Sequence, residues 1–105
     1  MSTVAARSLV ESSLAEVRRI VLDGLGTLKA EVYLFGSRAT DSARESSDID
    51  VAVLPLEPLR PGMLAGIRDA LEESHVPWRV DLVDLTTASP ELRAAVEREG
   101  IPWTD

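Results

Sequence analysis

The sequence predicts an α/β domain of the α+β type, in which helices flank a small mixed β-sheet. Short apolar runs rich in β-branched and aromatic residues alternate with segments whose apolar residues recur every three or four positions. Glycine and proline separate these segments. A chain of 105 residues is the size of one domain, so we expect residues 1–105 to form a single domain with the order helix, strand, strand, helix, strand, helix.

The first helix is predicted from about Val4 to Leu22. Its apolar residues lie at three- and four-residue steps, which places them on one side of a helix: Val10, Leu14, Val17 and Val21. Gly24 and Gly26 follow and provide a plausible end.

Two strands are predicted next. Glu31 to Phe35 is a run of β-branched and aromatic residues that stops at Gly36, which is typical of a buried strand. Ile49 to Leu54 is a second such run. The polar segment from Arg38 to Ser47 shows no sustained periodicity and is predicted to be the loop between them.

The second half of the chain adds a helix, a strand and a helix. A helix begins near Met63, with apolar residues at helical spacing, and ends near His75. Arg79 to Val83 is the third predicted strand. Ser89 is a typical N-cap, followed by proline at the first position of a last helix that runs to about Arg98.

Composition and charge exclude several classes of function. The formal net charge is −7, from 18 acidic and 11 basic residues, which argues against direct binding of nucleic acid and favours cations as partners. The chain has no cysteine, so disulfides and thiolate metal sites are excluded. Its apolar runs are far shorter than the roughly 18 residues that span a bilayer, so we expect no membrane partner and a cytoplasmic location.

Three aspartates lie where their carboxylates can meet. Asp48 and Asp50 are two residues apart at the start of the second strand, so both point to one face of the sheet, with Cα atoms about 6.5 to 7 Å apart. Asp81 lies inside the third strand and can join them if that strand is the neighbour, at about 4.8 Å. Asp84 would point to the opposite face.

Such a cluster needs a compensating positive charge. Carboxylates about 5 Å apart repel one another by roughly 3 kcal/mol per pair at an effective dielectric constant of about 20. Oxygen ligands favour Mg²⁺ or Mn²⁺, and two such ions can clamp the attacking and leaving oxygens of a phosphoryl transfer. We therefore predict that Asp48, Asp50 and Asp81 are catalytic and metal-binding residues.

A turn directly after the first strand is suited to a nucleoside triphosphate. Gly36 lets backbone N–H groups approach phosphate, and Ser37 adds a hydroxyl donor. Arg38 can add charge-assisted contacts to the same phosphates. These three residues are the predicted nucleotide-binding residues.

Two segments carry a resemblance to a known family. Leu34 to Ala39, followed by Ser47 to Val53, closely resembles the signature of the DNA polymerase β-like nucleotidyltransferase superfamily. The chain length and the segment Pro77 to Asp84 resemble its minimal nucleotidyltransferases, the MNT proteins encoded beside HEPN-domain partners. The resemblance covers roughly residues 30–100 and implies the polymerase β-like nucleotidyltransferase fold.

The resemblance implies a metal-dependent transfer of a nucleoside monophosphate, AMP from ATP, with release of pyrophosphate. Asp48 and Asp50 would hold the metal ions, and Asp81 matches the carboxylate that also helps deprotonate the attacking hydroxyl. Gly36 and Ser37 match the triphosphate-binding turn. In HEPN/MNT pairs, the MNT protein is the antitoxin of a HEPN ribonuclease toxin, and some members adenylylate that toxin. A hydroxyl of a helical HEPN partner, bound in a hetero-oligomer, is therefore the expected acceptor.

Two alternatives remain at this point. The chain could be a noncatalytic antitoxin that blocks its partner by binding alone. It could also transfer a nucleotide to a small molecule such as an aminoglycoside, although it has no second domain for that substrate.

For four further residues, the sequence allows two interpretations each. His75 is more simply a structural residue at a helix C-terminus than a catalytic one. Trp78 and Trp103 are expected in the core or in a lid, and Trp103 is also the first candidate for partner contact. Arg79 fits a salt bridge and a nucleotide contact equally well.

Overall fold

The structure, a computed structural model, describes residues 3–40, 42–44 and 47–104. Positions 41, 45 and 46 of the predicted loop lie outside the described residues. The elements are α1 (Thr3–Leu25), β1 (Ala30–Phe35), a 3-10 turn (Gly36–Arg38), β2 (Ile49–Pro55), α2 (Met63–Glu73), β3 (Val80–Asp84), α3 (Pro90–Glu99) and β4 (Ile101–Pro102).

The four strands form one mixed sheet in the order β3-β2-β1-β4. β1 runs antiparallel to both β2 and β4, whereas β2 and β3 are parallel and are connected through α2. The register places Asp50 opposite Phe35 on one side and opposite Asp81 on the other. The predicted mixed sheet and its flanking helices are confirmed.

One face of the sheet carries the main core, against α1 and α2. Alternate residues of the strands point to this face because the side-chain period of a strand is two. The buried side chains of this cluster come from both helices and three strands: Val17, Ile20, Val21, Leu25, Val32, Leu34, Ile49, Val51, Val53, Ile67, Leu71 and Leu82.

α3 packs on part of the other face. Val96 of α3 packs with Ala52 and Leu85, and the cluster is completed by half-buried neighbours that include Tyr33 and Phe35. The helix begins as predicted, because the Ser89 hydroxyl accepts a hydrogen bond from the Leu92 N–H at 3.2 Å. Asp48 and Asp50 share the strand parity of Ala52 and therefore belong to this thinly covered face.

The sequence did not reveal β4, which follows α3 as a fourth strand on the outer side of β1. It is two residues long, and its pairing is reinforced by the Trp103 N–H, which donates to the Val32 carbonyl at 2.7 Å. Arg18 of α1 donates to the Trp103 carbonyl at 2.9 Å, and the half-buried indole packs against the main core. The structure therefore places Trp103 at the edge of the main core, where part of its side chain stays exposed.

Two other predicted boundaries shift slightly. α1 reaches Leu25, one turn further than predicted, and α2 ends at Glu73, so that His75 lies exposed just beyond its end. Within the described part of the chain, no helix is both long and apolar enough to cross a membrane.

Candidate active site

Asp50 and Asp81 lie side by side on neighbouring strands. They are direct partners in the parallel register of β2 and β3, so their side chains leave the same face of the sheet at about the 4.8 Å spacing of paired strands. Asp48 precedes β2 by one residue and shares the parity of Asp50. The backbone register therefore places Asp48, Asp50 and Asp81 on the same face of the sheet.

Gly36 is the residue that makes room for the Asp50 carboxylate. A β-carbon built on Gly36 would lie 2.3 Å from Asp50 Oδ2, well inside van der Waals contact. Gly36 also has a φ of 73°, in the left-handed region where glycine is favoured. The backbone of the Gly-Ser turn therefore abuts one of the carboxylates, so that anything bound at the turn also reaches Asp50.

The pKa of Asp50 is raised from its ordinary value. Burial of this half-buried carboxyl is the largest cause, followed by the negative charges of Asp81 and then Asp48. Both charges act on Asp50, so the three carboxylates share one electrostatic environment. A divalent cation among them would relieve the cost of ionising Asp50.

The donor set fits Mg²⁺ or Mn²⁺ in its chemistry, because all three groups are carboxylates. Asp48 and Asp81 are exposed, however, and within residues 3–40, 42–44 and 47–104 no three acidic, histidine or cysteine side chains already lie close enough to hold one ion. The backbone register brings the aspartates to one face of the sheet, and a shared ion would require their side chains to lie closer together than they do here.

Asp84 lies on the opposite face of the sheet, as the strand period predicts. It pairs with Val53, whose side chain lies in the main core on the other face. Its Oδ1 accepts hydrogen bonds from the Thr86 N–H at 2.9 Å and from the Thr86 hydroxyl at 2.7 Å. Asp84 therefore stabilises the turn after β3 and does not belong to the carboxylate cluster.

The Gly36–Arg38 segment forms a 3-10 turn immediately after β1. The Gly36 carbonyl accepts from the N–H groups of Ala39 at 3.0 Å and Thr40 at 3.3 Å, which closes the turn. The hydrogen bonds that close such a turn do not use its first N–H groups, which are the groups that bind anions in comparable turns. The predicted phosphate-binding residues Gly36 and Ser37 thus start the turn beside Asp50.

Arg38 has partners that the sequence did not reveal. Its guanidinium carbon lies 4.9 Å from the centre of the Trp78 ring, and its Nη2 donates to the Ser47 carbonyl at 2.8 Å. Phosphate contact was the predicted role, and the described contacts are with the protein itself. The stacking joins segments 40 residues apart, so no local sequence pattern could predict it. The position of Trp78 directly before the predicted strand of Asp81 was the only feature of the sequence that placed this ring near the site.

A pocket of about 450 Å³ lies at the outer edge of β3, with Asp81, Trp78 and Arg79 in its lining. Arg79 is exposed there and forms no ion pair with any acidic side chain that the structure describes. The structure therefore does not support the predicted salt bridge of Arg79. A larger pocket of about 760 Å³ lies between α1 and α2, away from the carboxylates. The smaller pocket adjoins the candidate carboxylate site through Asp81.

The fold and the site together define a class. Residues 29–103 match the family model for "Polymerase beta, Nucleotidyltransferase", and the chain belongs to this family. The match covers β1, the Gly-Ser turn and all three aspartates, so the resemblance seen in the sequence is confirmed.

Within the family, the chain is similar to MNT proteins. It is 39% identical over 67 residues to "Probable protein adenylyltransferase MntA" of Haemophilus influenzae, a match that spans 64% of this chain and 59% of that protein. A toxin-antitoxin structure with AMP-PNP aligns with a TM-score of 0.67 and 32% identity, covering 90% of this chain and 72% of that one. A chain from the structure of a tri-AMPylated Shewanella oneidensis HEPN toxin in complex with MNT antitoxin aligns with a TM-score of 0.65 and 29% identity. This alignment covers 90% of this chain and 71% of that one.

Proposed function

We propose that this chain is a metal-dependent adenylyltransferase of the MNT antitoxin type, which transfers AMP from ATP to a hydroxyl group of a HEPN toxin and thereby neutralises it. The observation that carries the proposal is the direct pairing of Asp50 with Asp81 beside the Gly36 turn. This arrangement supports a metal site and a triphosphate site that adjoin each other.

The residues of the proposed site have separate roles. Asp48, Asp50 and Asp81 would hold the divalent ions, and the N–H groups and hydroxyl of Gly36 and Ser37 would hold the triphosphate. When bound, the ions neutralise charge on the phosphates and on the attacking oxygen. The acceptor oxygen forms a bond to the α-phosphorus, the bond from that phosphorus to the bridging oxygen breaks, and pyrophosphate leaves. Asp81 takes the hydroxyl proton.

Similarity to characterised proteins supports the choice of nucleotide and acceptor. The Haemophilus influenzae relative is named for protein adenylylation, and the Shewanella oneidensis complex pairs an MNT antitoxin with a toxin that carries three AMP groups. The structure with AMP-PNP supports an adenine nucleotide. The net charge of −7 supports a protein acceptor over direct binding of nucleic acid.

The test is transfer of label from α-labelled ATP to a purified HEPN partner in the presence of Mg²⁺. We expect wild type to label the partner and to suppress its ribonuclease activity. Asp48→Asn keeps the fold, because the change removes repulsion among the carboxylates, and abolishes labelling because it removes a metal ligand. Circular dichroism of the variant verifies the fold.

Three results would contradict the proposal. Suppression of the ribonuclease without any labelling by wild type would leave the noncatalytic antitoxin as the function. Labelling by Asp48→Asn at more than a few per cent of the wild-type rate would remove the assigned aspartates from the chemistry. Turnover with a small molecule in the absence of a protein partner would instead indicate the aminoglycoside-type alternative.

A further inference from the structure

We infer that Arg38 is a positioning residue that holds the Asp48 backbone in place for metal binding and does not serve chiefly as a phosphate ligand. The inference rests on the proposed function and adds a role to it. One side chain connects the three segments that carry the site: the Gly-Ser turn, the approach to β2 and the approach to β3.

Asp48 needs such support because it lies just outside the sheet. The pairing of β2 with β3 begins at Ile49, whose N–H donates to the Arg79 carbonyl at 2.9 Å. On the other side of Asp48, the Ser47 carbonyl accepts from Arg38 Nη2 at 2.8 Å. The backbone of Asp48 is therefore held at both ends, by the sheet after it and by Arg38 before it.

Trp78 fixes the direction of the Arg38 guanidinium. The ring lies 4.9 Å from the guanidinium carbon, and the half-buried indole packs against the main core. A planar guanidinium can stack on an indole and still donate from its edge, which a lysine ammonium cannot reproduce. The stacked geometry aims Nη2 at the Ser47 carbonyl, and Trp78 itself stands three residues before Asp81.

A phosphate-binding role for Arg38 leads to different expectations. To reach a triphosphate with its whole guanidinium, Arg38 would have to give up the Ser47 contact, and replacing Trp78 would leave nucleotide affinity unchanged. Under the positioning role, Arg38 and Trp78 act as a unit. Their replacement then weakens metal binding and lowers kcat, while the KM for ATP at saturating metal stays close to that of wild type.

The experiment compares Arg38→Lys, Trp78→Leu and the double variant with wild type. The matched control is Arg98→Lys, an exposed arginine whose ion pair is with its neighbour Glu99. Mn²⁺ affinity is measured by electron paramagnetic resonance with saturating AMP-PNP, and kcat and KM for ATP are measured with the HEPN partner. Because outer-shell partners of a metal site are typically worth 10- to 100-fold, we expect about a tenfold or greater loss of Mn²⁺ affinity and of kcat in each single variant.

Further expected results identify the pair as one unit. The double variant should lose no more Mn²⁺ affinity than the single ones, because the second change removes nothing further from the contact between Arg38 and Ser47. The control should behave as wild type. A folded Arg38→Lys with wild-type Mn²⁺ affinity would overturn the inference, as would a variant whose only defect is a raised KM for ATP.

Two controls keep the result interpretable. Circular dichroism establishes that the variants fold, and if Trp78→Leu does not fold, Arg38→Lys and Arg38→Gln alone decide. Mn²⁺ binding needs no acceptor, so it tests Arg38 even if wild type transfers nothing. Absence of transfer by a wild type that binds Mn²⁺ would contradict the proposed function, while loss of Mn²⁺ binding in Arg38→Lys would still support the positioning role.

Discussion

At the scale of single residues, Asp50 lies in surroundings that disfavour its ionised form. Its carboxyl group is half-buried against Gly36, beside Asp81 and near Asp48, and these surroundings raise its pKa. A carboxyl whose pKa is raised by folding favours its protonated form in the folded state, so its ionisation at neutral pH costs stability. The protein keeps this cost at the place where metal binding would offset it.

Asp50→Asn should therefore stabilise the metal-free protein at neutral pH. We expect the free energy of unfolding to rise by up to about 1 kcal/mol, a figure reduced to allow for solvent screening at a partly exposed group. The gain is complete above the raised pKa, shrinks as the pH falls through it, and is gone below the ordinary pKa of an aspartate. Urea unfolding from pH 7 down to about pH 4 measures it.

The matched control for this prediction is Asp69→Asn, which changes an exposed aspartate on α2, away from the cluster. It should leave the free energy of unfolding nearly unchanged over the same range. Loss of stability in Asp50→Asn at neutral pH would contradict the electrostatic description of the site.

At the scale of elements, the contact between α1 and α2 supports the sheet from behind. Gly24 of α1 lies directly against the buried Ile67 of α2, and a β-carbon at this position would be 2.4 Å from Ile67 Cγ1. The two helices cover the face of the sheet opposite the aspartates, so their spacing sets the position of β2 and β3 without touching the site itself.

Gly24→Ala should destabilise the protein, although alanine is the better helix former. Overpacking of a core costs about 1 to 3 kcal/mol and exceeds the gain of about 1 kcal/mol in helix propensity, so we expect a net loss of about 1 kcal/mol. Gly66→Ala in α2 is the matched control, because nothing lies within 4 Å of its added carbon. It should raise stability by about 0.5 to 1 kcal/mol. Thermal unfolding compares them, and equal effects of the two changes would refute the packing argument.

Elements that rest on local patterns were predictable from the sequence, and contacts between distant segments were not. The Ser89 N-cap and the same-face placement of Asp50 and Asp81 follow from local chemistry and strand period, and both are found. β4 escaped prediction because two residues carry no periodicity and are held by Trp103 and Arg18. The stacking of Arg38 on Trp78 escaped prediction for the same reason.

At the scale of the whole molecule, the two faces of the sheet differ in how fully helices cover them. α1 and α2 bury one face in the main core, whereas α3 covers only part of the other and leaves the aspartates accessible. The family match extends over both faces, because it covers residues 29–103.

The most direct measurement is Mn²⁺ binding, followed by electron paramagnetic resonance with AMP-PNP present, in wild type and in Asp50→Asn, Asp81→Asn and Asp84→Asn. Asp84 is the control, because it lies on the same strand as Asp81 and faces the other way. We expect wild type and Asp84→Asn to bind Mn²⁺ equally well, and Asp50→Asn and Asp81→Asn each to lose more than about tenfold in affinity. Wild-type affinity in Asp81→Asn would contradict the proposed metal site.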